Sequence, residues 1–214
     1  MAATSFADPA YRTQASLGFA SLGNDAYLYS VGGYYRINDK HTFAIGARYY
    51  MPDEIYNTVD GINFTKAQPY DLMIDLAYAR RVSNTLSLSV NARDVSSKLN
   101  EGTGFKTGST VAIDLGMHFR KEAYSIAATV SNLGMLMNYG VGKYRMPANA
   151  RVGGAYRWEP AANHRVTGMV EARYNFMPED YQFFSGGVGA EYMFKGMVAV
   201  RGGYYLASET KGPG

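Results

Sequence analysis

The sequence predicts an all-β fold, and more narrowly a transmembrane antiparallel β-barrel, on three observations. Apolar and polar residues alternate along most of the chain, and the apolar faces of the alternating segments end in aromatic side chains. The segments are about 9–13 residues long, longer than most strands of globular sheets and close to the length that a tilted membrane strand needs. Because the chain has 214 residues, we expect residues 1–214 to form a single large β-domain.

Strands are predicted wherever every second residue is apolar, since successive side chains of a strand point to opposite faces. The pattern is clearest between Leu72 and Tyr78, where Asp75 lies on the polar face. Similar segments lie near residues 11–20, 26–37, 41–51, 86–93, 111–120, 123–131, 148–158, 164–176, 183–194 and 197–207. The chain is therefore predicted to contain about eleven strands.

The connections between these segments alternate in length, except that the first, 22–25, falls on the long-loop side yet is short. Short polar turns lie near residues 38–40, 83–85, 121–122, 161–163 and 195–196, and longer connections span 53–69, 98–108, 133–147 and 177–182. Bacterial outer-membrane barrels have short periplasmic turns and longer external loops. The alternation predicts the bacterial outer membrane, with the lipid bilayer as one partner.

Aromatic residues and charges separate this prediction from a soluble all-β sandwich, which would also alternate. The apolar face carries aromatic residues beside the short turns, at Tyr35, Tyr78, Phe119, Tyr124, Tyr156, Trp158, Tyr192 and Phe194. Amphipathic rings are typical of a membrane interface, where they meet lipid and water together. A barrel in lipid turns this face outward and encloses its charges, whereas a sandwich buries its apolar residues in one core.

The charged face supplies candidates for the lumen lining: Arg48, Asp75, Arg93, Asp114, Arg120, Arg151, Arg157, Glu171, Arg173, Glu191 and Arg201. Either these residues pair across neighbouring strands and fill the lumen, or the excess of arginine creates a field that selects anions. Acidic partners such as Asp114 and Glu171 are available. Structural pairing is therefore the favoured interpretation.

The external connection 133–147 supplies candidates for contact with a protein partner: Met135, Met137, Tyr139, Tyr144 and Met146. Exposed Met and Tyr form adaptable protein contacts. The same segment could instead fold back over the mouth of the barrel. The two arrangements are left open at this point.

The sequence predicts neither an active site nor a cofactor or metal site, so the chain is not expected to be an enzyme. It has no Cys, and its net charge of +3 is spread along the chain, which gives no reason to expect nucleic-acid binding. His41, His118 and His164 are expected near the short-turn rim as solvated residues. Glycine pairs inside strands, such as Gly153-Gly154, fit bends or close packing, because no phosphate-binding pattern surrounds them.

Both ends of the chain suggest further segments. The first residues lack the basic and apolar regions of a signal peptide. The last predicted strand runs outward, which leaves an odd number of strands and an open edge that is costly in lipid. We expect at least one further strand, and the domain to be incomplete at its C-terminus.

Several phrases in order resemble the PorV/PorQ family of type IX secretion outer-membrane proteins, whose barrel is related to the FadL transporters. They are YARRVSNTLSLSVNARDVSSKLN (78–100), AIDLGMHF (112–119), VSNLG (130–134), MPANARVGGAYRW (146–158), GVGAEY (187–192) and VRGGYY (200–205). The resemblance implies a FadL-like barrel of 14 strands, of which about eleven are visible. It also implies a noncatalytic subunit, or a cargo-binding component, of a protein secretion or surface-attachment complex.

Other functions remain alternatives to a secretion subunit. They are a FadL-like channel for hydrophobic small molecules, a general porin, and a paralogue attached to another outer-membrane complex. A channel needs a continuous path through the lumen, and a FadL-like transporter needs an apolar pocket with a plug segment.

Overall fold

The computed structural model describes residues 12–59, 63–101 and 104–208. Its strands are β1 (Thr13–Ser21), β2 (Tyr27–Arg36), β3 (His41–Met51), β4 (Ile55–Val59), β5 (Asn63–Ala67), β6 (Tyr70–Arg81), β7 (Leu86–Lys98), β8 (Gly108–Lys121), β9 (Tyr124–Gly134), β10 (Leu136–Asn138), β11 (Lys143–Arg145), β12 (Asn149–Ala161), β13 (His164–Asn175), β14 (Phe183–Phe194) and β15 (Val198–Ala207). In this part of the chain the only helical segment is the 3-10 turn Glu179–Tyr181. No helix among these residues is long and apolar enough to cross a membrane.

Eleven strands form one antiparallel sheet in the order β1-β2-β3-β6-β7-β8-β9-β12-β13-β14-β15. Each strand therefore pairs with its nearest neighbours in the chain, apart from the two short hairpins β4–β5 and β10–β11, which form separate two-stranded sheets. The eleven alternating segments of the sequence correspond to these eleven strands. The fold class expected from the periodicity is confirmed.

The ladder register separates the two faces of the sheet. One row joins Leu115, Val130, Ala150, Tyr174 and Phe184 across five strands. Of these residues, Leu115, Tyr174 and Phe184 expose between 44% and 55% of their surface. Large apolar side chains that stay exposed over a whole sheet face need a nonaqueous surrounding, and lipid supplies it.

The polar face is the concave side of the sheet. Ser16 on β1 and Thr129 on β9 line the same cavity of about 500 Å³, although five sheet strands lie between β1 and β9. Strands so far apart can share a cavity only if the sheet curls around it. The ladder register puts all eleven lumen-lining candidates of the sequence on this concave face.

A β-bulge interrupts the β8–β9 ladder near its external end. Ile113 pairs with Leu133 and Leu115 pairs with Val130, so that Asp114 faces two residues of β9. One of them, Asn132, has a φ of 62°, a left-handed conformation that Asn tolerates better than most residues. The bulge adds a bend to the wall and turns Asn132 toward the charged face.

The enclosed ionic network and the mouth hairpin

Arg93 is the centre of an ionic network on the concave face. Its Nε donates to Asp75 Oδ1 at 2.7 Å, and its Nη2 lies 3.1 Å from Asp114 Oδ2. The three side chains are only 15% or 16% exposed. Since a guanidinium offers five donors in a fixed plane, one arginine can bind carboxylates on both neighbouring strands. Arg93 thus connects β6, β7 and β8.

Asn91 and Arg48 extend the network. Asn91 Nδ2 donates to Asp75 Oδ1 at 2.8 Å and to Asp114 Oδ2 at 3.0 Å. Arg48 Nη2 approaches Asp75 Oδ2 at 3.4 Å. The two carboxylates are therefore held apart by donors on every side, which offsets the cost of enclosing them. The charges of the polar face predicted their own pairing, but nothing in the sequence indicated Asn91, because a single amide on a polar face carries no distinguishing signal.

Asn132 joins the network to the external connection. Its backbone N–H donates to Asp114 Oδ1 at 2.7 Å, and its Oδ1 accepts from Arg93 Nη1 at 2.6 Å. Its Nδ2 donates to the carbonyl of Pro147 at 2.9 Å. Asn132 and Pro147 are the residues on either side of the segment 133–146. The bulge therefore ties both ends of this segment to Arg93 and Asp114.

The segment between these anchors forms the β10–β11 hairpin, which we call the mouth hairpin, and it folds onto the concave face. Met137, Tyr139 and Met146 are 5%, 6% and 9% exposed, and they pack with Val95 and Ala112. The sequence left open whether this segment is exposed to a partner or folds back over the mouth of the barrel. In the structure, these three partner-contact candidates fold back over the mouth. Their burial corrects the expectation that all five candidates could be offered to a partner.

Further contacts fix the mouth hairpin in this position. Thr110 Oγ1 donates to the carbonyl of Met135 at 3.0 Å, and the amide of Lys106 donates to the carbonyl of Tyr139 at 2.8 Å. The Tyr139 ring covers Gly108, where an added Cβ would lie 2.8 Å from the ring. Gly108 is therefore needed for close packing of the ring on the wall.

The outer side of the mouth hairpin is apolar and exposed. Met135 is 72% exposed, Tyr144 58%, Val141 54% and Leu136 47%. Two of the five partner-contact candidates, Met135 and Tyr144, therefore lie where another protein could touch them. The hairpin has one face that packs into the mouth and one that remains in solvent.

The remaining lumen-lining candidates lie toward β12–β15 and the short turns. Arg151 pairs with Glu171 at 3.5 Å, Arg201 pairs with Glu191 at 2.5 Å, and Arg173 donates to Asn175 Oδ1 at 3.0 Å. Arg120 and Arg157 line a smaller cavity of about 250 Å³ beside the β8–β9 and β12–β13 turns. The structure thus divides the eleven candidates between one dense network around Arg93 and a looser set of ion pairs, hydrogen bonds and cavity-lining residues.

Two of the three histidines pair with aromatic residues at the short-turn rim. His41 Nδ1 lies 2.6 Å from the Tyr78 hydroxyl, and His164 Nδ1 lies 2.7 Å from the Tyr192 hydroxyl. They are therefore part of the aromatic belt rather than simply solvated turn residues. Among the residues that the structure describes, no group of three or more His, Asp or Glu side chains could hold a metal ion.

The β4–β5 hairpin is a second external element. Asn57 and Asn100 exchange side-chain hydrogen bonds of 2.6 and 2.9 Å, which attach the hairpin to the end of β7. Lys66 Nζ contacts Glu54 Oε2, and this hydrogen bond raises the pKa of Lys66 above its ordinary value. The contact is exposed, so it orients the hairpin without adding much stability.

A known protein family has a sequence pattern that this chain shares. The sequence matches the family model described as "Type IX secretion system protein PorV" over residues 15–181. The chain belongs to the PorV family. This match confirms the resemblance derived from the phrases of the strands, and it makes the chain an outer-membrane barrel of type IX secretion. No curated protein matches the sequence.

A solved structure has a fold similar to that of this chain. The chain is similar to the crystal structure of the toluene transporter TbuX of Ralstonia pickettii, with a TM-score of 0.54 and 14% identity. The similarity covers 93% of this chain and 75% of that chain. At this identity the likeness shows a shared fold alone, and it confirms the FadL-like barrel expected from the sequence.

Proposed function

We propose that this PorV-family barrel is a noncatalytic subunit or cargo-binding component of a type IX secretion complex. It binds a protein partner through its external rim. The observation that carries the proposal is the two-sided mouth hairpin. Its inner side is buried against Val95 and Ala112, and its outer side exposes Met135 and Tyr144.

The outer side has the composition of a protein contact. Met and Tyr are enriched in protein interfaces, where Met adapts its shape and Tyr adds a large, rigid apolar surface. The hairpin is fixed by the Asn132 bulge and by the packing of Tyr139, so binding does not have to order it first. Such preorganisation lowers the entropic cost of association.

The lumen supports a binding role better than it supports transport of hydrophobic solutes. The cavity of about 500 Å³ is lined by Asp75, Asn91, Arg93 and Asp114 together with several hydroxyl side chains. An apolar solute would have to displace water from these groups without replacing its hydrogen bonds.

The test is purification from the native outer membrane in mild detergent, with identification of the proteins recovered. We expect specific partners with the wild-type chain, and a large loss of them with the double variant Met135→Glu, Tyr144→Glu. Tyr56→Glu is the matched control, because Tyr56 is 62% exposed on the other external hairpin.

Two results would reject the proposal. One is recovery of the wild-type protein alone together with solute conductance in planar bilayers, which would favour the channel or porin alternative. The other is equal recovery of partners with the double variant and with the wild type.

A further inference from the structure

The mouth hairpin has a strand edge that neither its inner packing nor the ionic network uses. In the part of the chain that the structure describes, β10 and β11 form a sheet of two strands, so the outer edge of β11 has no neighbouring strand. Lys143, Tyr144 and Arg145 make up β11, and all three are exposed. We call this feature the β11 edge.

The register of the hairpin determines which backbone groups lie at the β11 edge. The amide of Tyr139 donates to the carbonyl of Gly142 at 2.9 Å, which makes these two residues a hydrogen-bonded pair. Pairs with and without hydrogen bonds alternate along an antiparallel ladder. Tyr144, two positions beyond Gly142, therefore directs its backbone groups toward β10, whereas Lys143 and Arg145 direct theirs away from it. The β11 edge thus offers two N–H donors and two carbonyl acceptors.

One face of the β11 edge is cationic. Lys143 and Arg145 share this face because they are two positions apart, and neither forms an ion pair with any residue that the structure describes. Arg145 Nη1 lies 3.3 Å from the sulfur of Met177. Glu179 and Asp180 follow Met177 in the chain, but neither carboxylate lies within 4.0 Å of the guanidinium. Both cations can therefore bind carboxylates of a partner.

A peptide strand complements the β11 edge better than an anionic headgroup does. Phosphate oxygens are acceptors, so they satisfy the N–H groups and the cations but leave the two carbonyls without donors. A peptide backbone supplies donors and acceptors at the spacing of the edge. In an antiparallel pairing, the more stable one per residue, the side chains opposite Lys143 and Arg145 lie on the same face as these cations, with Cβ atoms about 4.5–5.5 Å away.

We propose that the β11 edge binds an extended acidic segment of a partner protein, which adds to the mouth hairpin as a third, antiparallel strand. The segment has acidic residues opposite Lys143 and Arg145. Between them it has an apolar residue opposite Tyr144, whose ring lies beside that of Tyr139 with centroids 5.8 Å apart. The inference rests on the proposed function, because it specifies the chemistry of the partner that the external rim binds.

The first experiment measures binding of a model peptide to the whole chain in lipid nanodiscs. The probe is a fluorescent Ser-Glu-Val-Glu-Ser peptide with blocked termini, and binding is followed by anisotropy. Lys143→Glu should weaken binding about fivefold, because one exposed ion pair is replaced by repulsion. Lys106→Glu is the matched control and should change binding less than about twofold, because Lys106 is an exposed cation beside the β10 end of the hairpin, where its amide donates to Tyr139. The double variant Lys143→Glu, Arg145→Glu should prefer Ser-Lys-Val-Lys-Ser.

A second pair of probes tests the addition of a strand. N-methylation of the two Glu residues removes the donors that face Lys143 and Arg145, and it should weaken binding about tenfold, as the loss of two hydrogen bonds would. N-methylation of the Val should have little effect, because its N–H points away from β11. Equal binding of the two methylated probes, which a simple anion site would give, would overturn the proposal.

The proposal is also overturned if the wild type does not bind the unmethylated peptide, or if Lys143→Glu and Lys106→Glu weaken binding equally. Recovery of partners from the native outer membrane is measured separately. Recovery of partners without peptide binding rejects this inference alone, whereas peptide binding without recovery of partners rejects the proposed function.

Discussion

Replacing Arg93 with Met removes the central cation of the ionic network while keeping a side chain of similar length. Asp75 would retain Arg48 at 3.4 Å and Asn91 at 2.8 Å. Asp114 would lose its only cation within 4 Å among the described residues, and Asn132 would lose the donor to its Oδ1. The cost is therefore dominated by a carboxylate left enclosed without its partner.

The magnitude follows from the burial of the groups. Breaking a fully buried ion pair costs about 3–5 kcal/mol, and the 15–16% exposure of these side chains puts Arg93→Met near the lower end, at about 3 kcal/mol. Arg201→Met is the control. Its partner Glu191 is 18% exposed, but Arg201 is 66% exposed, so the expected cost is at most about 1 kcal/mol.

The assay is urea unfolding of protein folded into phospholipid vesicles, followed by the fluorescence of Trp158, the single tryptophan. The free energy of unfolding comes from linear extrapolation to zero urea. Asp114→Asn should cost at least about 1 kcal/mol less in the Arg93→Met background than in the wild type, because the two residues interact directly. Equal costs for Arg93→Met and Arg201→Met, or additive effects of Arg93→Met and Asp114→Asn, would show that Arg93 does not stabilise the enclosed Asp114.

Three further predictions concern the external elements. Gly108→Val should displace Tyr139 and accelerate tryptic cleavage of the mouth hairpin, whereas Gly168→Val, where an added Cβ meets nothing within 4 Å, should not. Asn132→Ala should accelerate the same cleavage, because it removes the contacts to Arg93 and Pro147 and places Ala at a φ of 62°. Cleavage at the wild-type rate would show that Asn132 does not anchor the mouth hairpin. Lys66 should titrate with a pKa above its ordinary 10.5. Its contact with Glu54 is then complete below pH 10.5 and is lost as the pH rises through the raised pKa. An NMR titration in which Glu54→Gln leaves the midpoint of Lys66 unchanged would contradict this cause.

Periodicity predicted the sheet because each strand carries its own signal. Residues 41–51 coincide with β3, and the segment near 164–176 with β13. The two-residue period is visible without knowing which strands pair. The aromatic ends and the connection lengths indicate which end of each strand is periplasmic and which is external. The short hairpins were not predicted, since five residues in Ile55–Val59 and three in Leu136–Asn138 are too few to establish a period.

The site was harder to predict because it depends on register. Sequence placed Asp75, Arg93 and Asp114 on one face, but only the ladders bring them beside one another. The bulge at Asn132 cannot be predicted without the register of the β8–β9 ladder, in which Ile113 and Leu115 pair with β9 residues that are three positions apart. Whether Met137 faces a partner or the mouth is likewise a question of packing against strands distant in sequence.

Every inference above depends on lipid contacting the apolar face of the sheet while the charged face is enclosed. The chain has no cysteine, so single cysteines at the adjacent positions Ser89 and Val90 can carry a spin label in vesicles, and collisions with oxygen and with a water-soluble nickel chelate can be compared. The label at Val90 should collide with oxygen much more than with nickel, and the label at Ser89 should not show this preference. The reverse pattern, or a Val90 label that meets nickel freely in folded protein without detergent or lipid, would contradict the account.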